Sequence, residues 1–165
     1  MEHLLLLRNI MEKEEADYCR LLTLSEQEKD AVIQNDIPTL SSILEKQQEV
    51  LTDINGLEAE KQRIVSVIRR EANLPEGGLG VQDVIKTAPE PLHRELRGLL
   101  TEIEDISKRI HRINSLNRTL IETQLQYTQF CMNTLTGRDA APATYSGSGR
   151  VQESSAQRCL VDQAI

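Results

Sequence analysis

A chain of 165 residues with 26 acidic and 19 basic side chains carries a net charge of −7, and only 2% of its residues are aromatic. The acidic balance argues against nucleic acid and anionic membrane surfaces as partners, because both attract a basic face. With three Tyr, one Phe and no Trp, the core is expected to be a thin aliphatic seam within a single domain.

No apolar run approaches the ~18 residues that span a bilayer. Leu4 to Leu7 is short, follows Glu2 and runs into charged residues, so it does not read as a signal peptide. Cys19, Cys131 and Cys159 are odd in number and widely separated, with no CxxC pair. That spacing argues against a disulfide framework or a zinc site. The expected location is cytoplasmic.

The first helix is predicted over about 2–34, with Leu4, Leu7, Met11, Tyr18, Leu21 and Val32 on its buried face. Glu14, Ser25 and Glu28 interrupt that face, which makes it the weakest seam. Asn35-Asp36-Ile37-Pro38 ends it. Proline suits a first turn, where its missing amide is not needed, and Asp36 can cap the amides that follow. A turn this tight makes the first two helices antiparallel neighbours.

The second helix is predicted over 38–71. Its apolar residues alternate three and four apart through Leu40, Ile43, Gln47, Val50, Ile54, Leu57, Lys61, Ile64 and Ile68. Asn73, Pro75, Gly77, Gly78 and Gly80 force a loop over 72–90, with room for a short helix over 81–86. The third long helix is predicted over 91–136, on the seam Leu96, Leu99, Ile103, Ile106, Ile110, Ile113, Asn117, Leu120, Gln124, Tyr127 and Cys131. At 1.5 Å per residue it would be on the order of 65 Å long, longer than the other two. Such repeats bury one narrow face of each helix against the others. The fold class is therefore all-α: an elongated antiparallel three-helix coiled-coil bundle over 1–136. Polar residues on the seams (Gln47, Lys61, Asn117, Gln124) either penalise wrong registers or mark a frayed edge.

Beyond Gly137 the repeat stops, and 137–165 is rich in Gly, Ser, Ala and Gln. It reads as a flexible C-terminal arm. On its own it suits an idle tail, or a recognition element in which Tyr145, among small residues, anchors in a partner's pocket and Val151 follows.

Signatures of chemistry are sparse. Glu90-Pro91-Leu92-His93 has the Glu-x-x-His spacing of di-iron bundles, but those sites need two such motifs and two further carboxylates. No HExxH, Walker loop or GxSxG occurs. No catalytic, metal or cofactor residue is assigned, and the chain is not expected to be an enzyme.

Several stretches together carry a family resemblance. They are Leu21-Leu22-x-Leu24, the run Glu28-Lys29-x-Ala31-Val32-Ile33-Gln34-Asn35-Asp36, and Leu51-x-x-Ile54-x-x-Leu57-Glu58-x-x-x-Gln62-Arg63. Ile113-Asn114-x-Leu116-Asn117-x-x-Leu120-Ile121, Leu135-x-Gly137 and the tail Tyr145, Gly149 and Arg150 complete them. In their order the chain resembles the FlgN family of flagellar type III export chaperones over most of its length. The resemblance implies a cytoplasmic chaperone that covers the C-terminal amphipathic segment of hook–filament junction proteins. It would prevent their premature self-association and bring them to the flagellar export apparatus, by helix-on-helix recognition and with no nucleotide or metal. It also allows a weak homodimer. Cargo contact is expected at Leu120, Leu125, Tyr127, Phe130, Leu135, Tyr145 and Val151, although Leu120 and Tyr127 equally suit an internal core. The competing reading is a self-assembling coiled-coil scaffold or adaptor with no chaperone role.

Overall fold

The computed structural model describes residues 1–74 and 80–136. The arm expected over 137–165, with Tyr145 and Val151, lies outside the described residues. Among the described residues there are four helices and no strand: α1 (Glu2–Gln34), α2 (Ile37–Glu71), α3 (Val81–Ile85) and α4 (Leu92–Thr136). The fold is all-α. Compactness divides the chain into Met1–Arg118 and Thr119–Ile165.

Met1–Arg118 holds the bundle. α1 ends where Asn35 turns left-handed (φ 55°) and its amide, with that of Asp36, closes on the carbonyls of Val32 and Ala31. Asp36 then caps α2, accepting from the Thr39 amide at 3.1 Å, with Pro38 in the first turn. Cross-helix pairs give the directions. His3 meets Glu71, Glu14 meets Lys61 and Glu28 meets Gln47. Residues rising along α1 thus meet residues falling along α2, so the two are antiparallel. Against α4 the pairs are Arg8 with Glu95 and Ser25 with Asn117. Both members rise together, so α4 runs parallel to α1.

Two apolar clusters hold these helices together. In one, Leu4, Leu7 and Met11 of α1 meet Val65 and Ile68 of α2 and Leu92, Leu96 and Ile103 of α4. α3 caps this cluster by inserting Val84 and Ile85, both buried. Fully burying an aliphatic side chain stabilises by about 1.5–3 kcal/mol, so five residues of α3 secure the loop end of the bundle. The other cluster joins Leu21 and Leu22 to Val50, Ile54 and Ile110. Tyr18 packs against both.

Between the clusters lies a polar layer. Glu14, 1% exposed, receives the Lys61 ammonium at 2.7 and 2.8 Å, and Lys61 also binds Glu58. A second layer follows, in which the Asn117 amide donates to the Ser25 carbonyl at 3.0 Å with both residues buried. In a third, Gln47 donates to Glu28 at 2.9 Å. The three residues that interrupt the α1 seam therefore face three polar residues of the other seams. Gln47 and Lys61 are matched contacts across the bundle rather than a frayed edge, whereas Asn117 bonds only the Ser25 backbone carbonyl and leaves its own Oδ1 and the Ser25 Oγ buried without a partner.

Candidate partner-binding surface

The segment from Thr119 to Thr136 differs in chemistry from every other helical stretch. In a chain with 27% charged residues its only charge is Glu122. The rest is aliphatic, aromatic, Thr, Gln, Asn, Met and Cys. Leu125, Tyr127, Phe130, Met132 and Leu135 are between 56 and 77% exposed, whereas Leu120, Ile121, Gln124 and Cys131 are half-buried. At roughly 100° per residue, the apolar positions from Phe130 round to Leu125 cover well over half of the helix circumference. A helix exposed and apolar over so much of its surface is a candidate contact face.

Its polar groups are largely satisfied within the helix. Thr123, Thr134 and Thr136 donate to the carbonyls of Thr119, Phe130 and Met132 at 2.7–2.9 Å. Gln129 donates to Asn133 at 2.9 Å. The Tyr127 phenol, hydrogen-bonded to Cys131 one turn on, has its pKa raised by that contact. Hydroxyls already bonded to their own backbone lose little when water leaves. The face is accordingly cheap to dry, which favours a partner that brings apolar side chains.

Of the residues expected at the contact, Leu125, Tyr127, Phe130 and Leu135 lie exposed on this segment, and Leu120 is half-buried at its start. Tyr145 and Val151 fall outside the described residues. Met132 belongs with the exposed group and was not expected. It stands seven residues after Leu125, and that spacing, with the near absence of charge, would have found it.

Elsewhere the surface offers little for chemistry. The depression beside α3, about 340 Å³, is lined by Lys86, His93, Arg97 and Glu104 among others. Two of its polar side chains are engaged, Lys86 with Asp83 at 3.0 Å and His93 with Glu90 at 3.3 Å. The Glu-x-x-His spacing thus closes on itself, between the turn before α4 and the first residues of that helix. Among the described residues no group of three or more His, Cys, Asp or Glu could hold a metal ion, and no helix is long and apolar enough to cross a membrane.

With this geometry in place, comparison with known proteins is decisive at the family level. A family model described as FlgN protein matches residues 2–153. The chain belongs to the FlgN family. No curated protein and no solved structure matches it. FlgN proteins are flagellar export chaperones, a family not known for enzymatic activity. The matched span covers both the bundle and the charge-poor end of α4.

Proposed function

We propose that this FlgN-family protein is a cytoplasmic chaperone for hook–filament junction proteins. It covers their C-terminal amphipathic helical segments, keeps them from associating early and brings them to the flagellar type III export apparatus. The observation that carries this reading is the exposed, nearly uncharged face of Leu125, Tyr127, Phe130, Met132 and Leu135. An amphipathic segment laid on that face would bury apolar surface from both sides without stranding a charge. Residues 137–165, with Tyr145 and Val151, form the second part of the proposed contact. Ordering the cargo segment on binding costs free energy, which keeps the affinity moderate and allows the cargo to be handed over.

Calorimetric titration of the protein with the C-terminal segment of a junction protein tests this. Ending the chain after Gly137 is expected to abolish binding while helical circular dichroism and melting stay nearly unchanged. Phe130→Asp with Leu135→Asp in the full chain should weaken binding at least tenfold. Full-strength binding by either variant overturns the assignment.

A further inference from the structure

α2 carries a second apolar line that the bundle leaves uncovered. Ile37, Leu44 and Leu51 are 41 to 57% exposed. They stand seven residues apart, a spacing that returns a helix to within about 20° of the same direction. At 1.5 Å per residue the line is about 21 Å long. Its surroundings are uncharged: Leu40, Ser41, Gln47, Gln48 and Asn55 flank it. The charges in this stretch, Glu45, Lys46, Glu49 and Asp53, lie roughly 100° or more round the helix. The line ends at the capping Asp36 on one side and at Glu58, which binds Lys61, on the other. Scattered exposed leucines need no explanation, but three on one line in a charge-free strip of a chain with 27% charged residues do.

We propose that this strip seats a second copy of the chain, with the two α2 helices antiparallel about a two-fold axis through Leu44. Leu44 then meets its own mate, Ile37 meets Leu51 of the second copy, and Ser41 meets Gln47. The strip is self-complementary, as a two-fold interface requires. A net charge of −7 repels a second copy over most of the surface, whereas the α2 residues of this strip carry no charge and the carboxylate at its edge, Glu28, is engaged by Gln47 at 2.9 Å. A charged peptide would find no counter-charge here and would lose hydration without return. Three side chains on so short a line fall well below the ~1,600 Å² of a standard interface. The dimer is therefore weak and concentration-dependent. It does not rest on the chaperone assignment, since it involves no cargo.

Sedimentation of the full chain from micromolar to millimolar concentration is expected to show the average mass rising from one chain towards two. Leu44→Glu should weaken this self-association at least tenfold with helical circular dichroism unchanged, and Ile33→Glu, exposed but off the strip, should leave it intact. In a mixed-isotope sample of the wild type, intermolecular methyl contacts should connect Ile37 with Leu51 and Leu44 with Leu44. A wild type that stays monomeric at millimolar concentration overturns the proposal. So does a dimer that survives Leu44→Glu, or methyl contacts that join Leu44 to residues 137–165 of the same chain in dilute solution.

Discussion

Lys61→Met is the most informative single change in the bundle. It keeps the length of the side chain and removes its charge, leaving Glu14, 1% exposed, without the ammonium that sits at 2.7 and 2.8 Å. Breaking a buried ion pair from one side costs about 3–5 kcal/mol. Glu14 has an escape, however, because it can take up a proton. Protonating a carboxyl whose ordinary value is 4.5 costs about 3.4 kcal/mol at pH 7, which caps the charge penalty near that figure. Since Lys61 retains 14% side-chain exposure, the expected loss at pH 7 is about 2–3.5 kcal/mol. Its pH dependence has a definite sign. Burial already raises the Glu14 pKa, and Lys61 opposes that shift. Without Lys61 the folded chain keeps a proton that the unfolded chain releases. The deficit then shrinks by up to about 1.4 kcal/mol per pH unit as pH falls from 7 towards 4.5. Urea unfolding followed by helical circular dichroism at pH 7 and pH 5 measures both quantities. Replacing both partners by Met should recover wild-type stability or exceed it by about 1–4 kcal/mol. A loss below about 0.5 kcal/mol, the size of an ordinary surface substitution, or an equal loss at both pH values, would refute the reasoning.

Alkali should destabilise the bundle from a predictable point. Burial works against the charge on Lys61, but its bonds to Glu14 and Glu58 hold its pKa above 10.5, and burial pushes Tyr18 above 10.0. Raised values give stability that is complete below the ordinary ones and lost as pH rises through the folded ones, so the melting temperature should begin to fall near pH 10. Glu15 is pushed above 4.5 by partial burial and by the facing Glu102 carboxylate. Glu15→Gln should consequently raise the melting temperature at pH 7 and change little at pH 3.5, below the raised Glu15 value. Val84→Ala, which empties the fully buried site filled by α3, should cost about 2 kcal/mol in urea unfolding.

The fold was legible because heptad spacing is a direct record of burial. All nine seam positions read along α2, from Leu40 to Ile68, are buried or half-buried. The matched polar layers were not legible from α1, where Glu14, Ser25 and Glu28 look like defects. Lys61, which answers Glu14, is 47 residues away, and no pattern within one helix shows what lies across the bundle. The candidate surface exposes a different weakness. Tyr127 keeps the seam spacing yet is 69% exposed. Periodicity says which face of a helix is apolar, but not whether anything covers it. The missing signal was charge: one acidic residue, Glu122, between Thr119 and Thr136.

A seam built only of Leu, Ile and Val would tolerate a slip of seven residues, because every position would meet its own kind. The polar layers remove that freedom. Glu14 meets Lys61 in the observed register. Moving α2 by one heptad would bring Ile54 or Ile68 opposite Glu14 and set Lys61 against Leu7 or Leu21. Each slipped state would strand both charges in apolar layers, at a cost of several kcal/mol for each ion. Asn117 constrains α4 less sharply, because its amide reaches a backbone carbonyl, a group every residue of α1 offers. Asn117 is also the last seam position of α4 that is buried outright. Tyr127, Phe130 and Leu135 follow on the same continuous helix and are exposed. The register of α1 against α2 is thus fixed at two points, Glu14 with Lys61 and Glu28 with Gln47. An ion pair that adds little net stability against an apolar replacement still excludes the slipped registers, and that is what Lys61 contributes to the pairing of α1 with α2.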